Sequence, residues 1–165
     1  MAVIGGNAID HGFAYAGMVV DNQIENAISK LNKSVTTSIG FGFGVVTDGD
    51  DGATTPNSSS TAEQFVGIVK RELNRAVLDG ETQSDNRQRD MTIVTHGVVY
   101  VAPLVDVTKD DPVYLVISDG TGTDQGKFSN VEGTGASFAV QITGAKWTSS
   151  ATAGNLAKLS LGLGG

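Results

Sequence analysis

The 165-residue chain contains no cysteine, which excludes disulfide bridges and thiolate-based metal sites or nucleophiles. Basic residues are also scarce, with 11 Lys and Arg against 18 Asp and Glu and a formal net charge of −7. Nucleic-acid binding needs a basic face, so nucleic acid is not a predicted partner. No apolar run approaches the roughly 18 residues of a membrane-spanning helix, and no membrane partner is predicted. The first residues lack the charged and apolar regions of a signal peptide, and none is expected.

Aromatic residues make up 6% and charged residues 18% of the chain, the latter below the ~25% that is usual. Glycine, by contrast, is abundant, with 22 residues, and hydrophobic residues reach 39%. This composition indicates one turn-rich β domain with a modest core and long uncharged surfaces. Such surfaces suit a protein that packs against other proteins.

Residues 1–20 are apolar and rich in glycine but have no hydrophobic period. A frayed terminus is one interpretation of this pattern. An extended arm that packs on a partner is favoured, because Phe13, Tyr15 and Met18 are poorly suited to a solvated tail.

Residues 21–34 place apolar side chains at helical spacing, namely Ile24, Ala27, Ile28 and Leu31. One short helix is therefore predicted here, with a strand as the alternative. We assign residues 1–34 to the N-terminal arm with this helix and residues 35–165 to a β domain.

Beyond residue 35, short apolar segments alternate with turns rich in Gly, Asp and Ser, which predicts seven or eight strands. The predicted strands are 39–46, 65–71, 91–101, 113–117, 127–129, 138–142 and 156–163. Residues 53–62 are expected to form a surface loop, and residues 72–90 a long polar excursion. The predicted fold is mainly β, a small β-barrel or β-sandwich with an extended N-terminal arm.

Catalytic chemistry has few candidates in this chain. His11 and His96 are the only histidines, and no G-x-S-x-G nucleophile motif is present. The valines around His96 favour an ordinary packing or hydrogen-bonding residue over a catalytic base. We predict no catalytic residue and no enzymatic activity.

Metal and cofactor motifs fail on spacing. The Asp48-Gly-Asp-Asp-Gly segment resembles a calcium loop, but Ser59 stands where an EF-hand needs a bidentate Glu. Asp119-Gly-Thr-Gly lacks the third glycine of a dinucleotide-binding motif. Both segments are read as turns, and no metal or cofactor is predicted.

Five of the eleven basic residues fall within twenty positions, interleaved with acidic residues. They are Lys70, Arg71, Arg75, Arg87 and Arg89. Such a mixed patch is either a solvated loop or a docking surface that fixes register with a charged neighbour. Composition alone does not separate these two interpretations.

Several loose motifs follow one another from about Tyr15 to Leu163. They are YAGMV from Tyr15, FGVVT from Phe43, GIVKRE from Gly67, MTIVTHGVVYV from Met91, DPVYL from Asp111, AKW from Ala145 and AGNLAKLSL from Ala153. In this order, the chain resembles the structural cement proteins of tailed phages, a family of small head proteins. The resemblance covers most of the chain, although each motif alone is weak.

The resemblance implies a non-enzymatic virion protein that binds and stabilises the outer surface of the assembled capsid. Its implied partners are the major capsid protein and further copies of itself, with a homotrimer favoured over a homodimer. It would be made in the host cytoplasm. Candidate interface residues are the arm anchors Phe13, Tyr15 and Met18 and the basic residues Lys70, Arg71 and Arg75.

Three other functions remain open at this point. A receptor- or glycan-binding virion protein would use loops 48–62 and 119–136, although Trp147 is the only tryptophan for a sugar-stacking platform. A tail or baseplate component has the same composition as a head protein. A small hydrolase would need a polar pocket around His96.

Overall fold

The computed structural model describes residues 14–20, 24–72 and 86–162. These residues form strands and a single 3-10 turn, and the predicted mainly β fold is confirmed. The elements are β1 (Asn26–Leu31), β2 (Gly44–Asp48), β3 (Gly52–Thr54), the 3-10 turn (Ala62–Gln64), β4 (Phe65–Val69), β5 (Asp90–Val101), β6 (Pro112–Asp119), β7 (Phe128–Ser129), β8 (Gly133–Thr134), β9 (Ser137–Trp147) and β10 (Ala157–Leu161).

The first five strands close into a small barrel. β1 pairs with β3, β3 with β2, β2 with β4, β4 with β5, and β5 returns to pair with β1. All contacts are antiparallel except that between β1 and β3, which is parallel. Of the two predicted alternatives, a small barrel or a sandwich, these strands form the barrel, and closure leaves it without a free edge.

The twelve-residue strand β5 is long enough to serve two sheets. Its first half belongs to the barrel, and its second half pairs with β10 in a sheet ordered β5-β10-β9-β6-β7. Gly97 has a φ of 133° where β5 passes from one sheet to the other. A bridge between Pro103 and Phe128 brings β7 back to the chain that follows β5.

Two hydrophobic clusters fill these layers. The barrel interior holds Ile39, Val45, Ala53, Val69, Met91 and Ile93. The larger cluster belongs mainly to the second sheet and contains the fully buried Trp147 and Phe128. Phe65 meets the Phe128 ring edge-on at a centroid distance of 6.3 Å. The single tryptophan is thus a core residue and offers no surface for stacking a sugar.

The predicted helix within residues 21–34 is wrong, because Asn26–Leu31 forms strand β1. The apolar residues that gave the helical spacing do not share one face. Ile24 is 81% exposed, whereas Ile28 packs against the barrel interior. β5 supplies an antiparallel partner along the whole of β1, so tertiary pairing overrides a weak local pattern. The strand alternative is the correct one, and the barrel takes this strand from the first 34 residues.

The loop predicted at residues 53–62 is also more ordered than expected. Strand β3 includes Ala53, which is fully buried, and Ser60 is buried as well. The excursion predicted at 72–90 lies largely outside the described residues, and β5 begins at Asp90.

A buried pair of asparagines closes one end of the barrel. Asn32 donates from Nδ2 to Oδ1 of Asn86 at 3.0 Å. The same Oδ1 accepts the backbone N–H of Ile39 at 2.9 Å, while Asn86 Nδ2 donates to the Ile39 carbonyl at 2.9 Å. Both amides are almost completely buried. They fix the turn between β1 and β2 to the chain that enters β5.

The turn after β6 is built around the carboxylate of Asp119. This carboxylate accepts backbone N–H groups of Thr121, Gly122 and Asp124 and the hydroxyl of Thr121. Desolvation raises the pKa of Asp119, but these hydrogen bonds outweigh it and hold the pKa well below its usual range. The ionised form therefore stabilises the folded turn.

We expect Asp119→Asn to destabilise the protein by about 1 kcal/mol at neutral pH, since the exposed turn loses charge-assisted hydrogen bonds. The folded pKa lies below the unfolded value, so the stabilisation is complete above the unfolded pKa of about 4. It is lost as the pH falls towards the folded pKa. Urea unfolding at several pH values should show the gap between the two proteins narrowing below about pH 4. A gap independent of pH would contradict this role.

Candidate functional site

Residues 14–20, at the inner end of the predicted arm, lie along β5 as an added strand segment. The N–H of Gly17 donates to the carbonyl of Tyr100 at 2.8 Å, and the N–H of Tyr100 donates to the carbonyl of Met18 at 2.9 Å. The N–H of Val20 donates to the carbonyl of Val98 at 2.8 Å. These bonds occupy the edge of β5 next to the residues that pair with β1. This part of the arm is therefore a fixed part of the fold.

Two glycines allow this segment to approach the barrel closely. Gly17 has a φ of +80°, and a Cβ there would lie 2.7 Å from the Val69 carbonyl oxygen and 2.8 Å from the Gly42 nitrogen. Gly42 also has a φ of +80°, and its own Cβ would meet the Gly17 nitrogen at 2.9 Å. The carbonyl of Gly17 accepts the N–H of Arg71 at 2.8 Å. The arm thus crosses the end of β4 through a backbone-to-backbone contact.

This crossing brings Tyr15 and Arg71 together. The Arg71 guanidinium lies 4.3 Å from the centroid of the Tyr15 ring and 5.7 Å from that of Phe41. The Arg71 Nε is buried and has no hydrogen-bond partner. Tyr15 remains 45% exposed. Cation–π attraction of this kind orients the guanidinium without neutralising its charge.

Lys70, the neighbouring predicted residue, has a different environment. Its Nζ lies 2.6 Å from Oε1 of Glu25, with about a third of each side chain exposed. A partly exposed pair of this kind contributes little stability, roughly 0–1 kcal/mol, but it compensates the charge of Lys70. We call Tyr15, Phe41, Lys70 and Arg71 the arm-root surface.

The other candidate residues do not all reach this surface. Met18 is half-buried beside β5. Phe13 and Arg75 lie outside the described residues. Of the six predicted interface residues, Tyr15 and Arg71 contact each other at the end of β4. Lys70 adjoins them in the sequence and pairs with Glu25.

Comparison with known proteins decides the family. A family model described as structural cement protein (E217 gp24/Pam3 gp6) matches residues 6–162, nearly the whole chain. The chain belongs to the structural cement protein family. The cement protein is accordingly a capsid-stabilising structural protein of a phage virion, as the order of its motifs predicted. The tail, baseplate and glycan-binding alternatives are not favoured.

A solved structure described as the capsid of Myoviridae phage XM1 contains a chain similar to the cement protein. The TM-score is 0.65, with 18% sequence identity over 90% of each chain. At this level of identity the likeness shows a shared fold. No curated protein matches the cement protein sequence.

Four residues that form or support the arm-root surface were not predicted from the sequence. Phe41 and Gly42 lie in the predicted strand 39–46, Glu25 lies in the predicted helix, and Gly17 lies in the glycine-rich arm. Phe41 is half-buried and packs against the barrel cluster, so its ring contributes to the core as well as to the surroundings of Arg71. Glu25 carried no signal, because its partner Lys70 is distant in the sequence.

Other candidate chemistry receives no support from the described part of the cement protein. His96 is exposed and contacts Thr95 at 3.4 Å. His11 lies outside the described residues. Within the described ranges, no group of three or more His, Asp or Glu side chains could hold a metal ion, and no helix is long and apolar enough to cross a membrane.

Loops 48–62 and 119–136 do meet at a cleft of about 390 Å³. Its lining includes Thr55, Asn57 and Gln125, all uncharged, together with Pro56 and Gly122. The described lining contains no aromatic residue, so the cleft lacks the stacking platform expected of a glycan site.

Proposed function

We propose that the cement protein binds the outer surface of the assembled head by contacting the major capsid protein. In this proposal it binds as a small homo-oligomer, a homotrimer rather than a homodimer. The arm-root surface is the best candidate for the capsid contact, because three features of an interface occur together there. An exposed aromatic ring, an oriented guanidinium and the start of an apolar N-terminal segment occur together there.

Exposed apolar residues support this choice. Large hydrophobic side chains are exposed at few described positions, namely Tyr15, Ile24, Val35 and Val131. Tyr15 and Ile24 flank the segment that pairs with β5, and Ile24 adjoins Glu25 of the ion pair with Lys70. Tyrosine and arginine are both enriched among the residues that dominate the binding energy of protein–protein interfaces.

The arm offers a physical reason for strong attachment. Residues 14–20 are held on β5, and the apolar residues before them begin at the arm-root surface. A domain contact and an arm contact on two capsid subunits would act together, so that the second forms at a high effective concentration. Each contact can then be weak while the whole attachment is strong.

Net charge supports the outer face of the shell. The chain carries a formal charge of −7, and the inner face of a filled head adjoins packaged DNA, a dense polyanion. Repulsion from DNA disfavours an inner location. The outer face carries no such penalty.

We expect deletion of residues 1–13 to weaken binding to expanded heads about 10- to 100-fold, since one of two linked contacts is lost. The thermal unfolding midpoint should change little, because the pairing of residues 17–20 with β5 is retained. Co-sedimentation with heads that lack the protein would give the affinity. Deletion through Val20 is a poorer variant, because it would also uncover the edge of β5 at Val98–Tyr100. Unchanged affinity after deletion of residues 1–13 would refute the arm's role.

Cryo-electron microscopy of expanded heads mixed with the purified protein tests the function itself. Ordered density at symmetry axes on the outer shell, with three copies at each site, is the expected result. Heads that stay bare at saturating protein concentration would rule out this attachment.

A further inference from the structure

Within the described residues, Arg71 is the cation of the arm-root surface that has no acidic partner. Lys70 is paired with Glu25 at 2.6 Å, whereas no acidic side chain of the described residues pairs with Arg71. Its guanidinium is instead flanked by the rings of Tyr15 and Phe41, and its Nε is buried without a hydrogen-bond acceptor. Burying a charged donor without an acceptor is costly, and a partner that supplies an acceptor to the guanidinium would offset part of this cost.

The stacking against the aromatic rings determines which groups of Arg71 can bind a partner. Contact with an aromatic face occupies the flat side of the guanidinium, so its N–H donors point along the edges of the plane. A planar fork of donors matches a carboxylate bidentately. Because the rings already restrict the guanidinium, little conformational entropy remains to be lost on binding.

We propose that Arg71 binds an Asp or Glu side chain of the major capsid protein through a bidentate hydrogen-bonded ion pair, with the exposed ring of Tyr15 covering the pair. This inference rests on the proposed attachment to the capsid and names the chemistry of its contact. A phosphate partner is disfavoured, because the chain carries a formal charge of −7 and the arm-root surface offers a single free cation among its described residues.

Binding of four variants to expanded heads tests the pair. Arg71→Gln removes the charge and should weaken binding at least about 30-fold, as expected for truncating one partner of a desolvated ion pair. Arg71→Lys keeps the charge but not the fork, and should weaken binding about tenfold. Tyr15→Leu removes the stacking ring and should give an intermediate loss. Lys109→Gln, at an exposed turn before β6, removes the same charge and should change binding less than twofold.

Circular dichroism and thermal unfolding of each variant establish that it is folded before binding is measured. If Arg71→Gln does not fold, Arg71→Lys and Tyr15→Leu decide the question. Arg71→Lys binding as tightly as the unaltered protein would overturn the bidentate pair. Unchanged binding of Arg71→Gln or Tyr15→Leu would show that the arm-root surface is not part of the interface. The proposed attachment to the capsid would still stand. Failure of the unaltered protein to bind would instead refute the proposed function.

Discussion

Replacing Asn86 with alanine should lower the free energy of unfolding by about 3–5 kcal/mol, which is a large fraction of the stability of a domain this size. The Asn86 side chain accepts the Ile39 N–H, donates to the Ile39 carbonyl and accepts from Asn32. Truncation leaves these buried groups without partners, and each costs roughly 1–3 kcal/mol. Urea unfolding followed by far-ultraviolet circular dichroism would measure the loss.

Two further asparagine variants test whether the buried hydrogen bonds of Asn86 cause this loss of stability. Asn86→Asp keeps one acceptor but loses the donor to the Ile39 carbonyl, and it should also destabilise the protein. Asn155→Ala removes an exposed amide whose side chain bonds locally to Thr152, and it should cost less than about 0.5 kcal/mol. If Asn86→Ala and Asn155→Ala were equally mild, the buried amide pair would not be what closes the barrel.

The position of Asn86 illustrates what the sequence could and could not predict. Strands β4, β5, β6 and β10 are visible as apolar runs bounded by turn residues, because each has a buried face that imposes a period. Asn86 lies in a polar stretch with no period. Its importance depends on Asn32 and Ile39, which the barrel brings to it from far along the chain.

The short helix predicted within residues 21–34 failed for a related reason. Six residues of β1 have no strong preference of their own, and their burial is set by the open edge of β5. Closure of the barrel likewise depends on pairings between distant segments. Hydrophobic periodicity indicates that a segment is a strand but does not indicate which strands pair with it. Local signals thus identified seven of the strands, whereas β1, β3 and β8 and the order of all the strands depend on tertiary contacts.

The candidate surface was predictable in part. Tyr15 and Arg71 were selected separately, as an aromatic residue in an arm and as a member of a basic cluster. Their contact requires the crossing of Gly17 over the end of β4, which no spacing in the sequence encodes. Phe41 entered the surface only through that geometry.

The crossing itself gives the second large prediction, in which Gly17→Ala lowers the free energy of unfolding by about 2–5 kcal/mol. A positive φ costs an alanine roughly 1–2 kcal/mol, and forcing a methyl group against backbone adds roughly 1–3 kcal/mol. The Val69 oxygen at 2.7 Å and the Gly42 nitrogen at 2.8 Å are both backbone atoms and cannot turn aside as a side chain would. The arm must therefore shift away from β4, which separates Tyr15 from Arg71.

Gly135 provides the matched control, because it also has a positive φ, +67°, but no atom within 4 Å of the site of a Cβ. Gly135→Ala should cost only the backbone term of about 1–2 kcal/mol and leave binding to heads unchanged. Gly17→Ala should show the larger loss of stability and weaken binding to heads at least as much as Tyr15→Leu. Equal effects of the two glycine variants on stability would mean that the arm is not held by the Gly17 crossing. Weakened stability with full binding would mean that the crossing supports the fold but does not present the capsid contact.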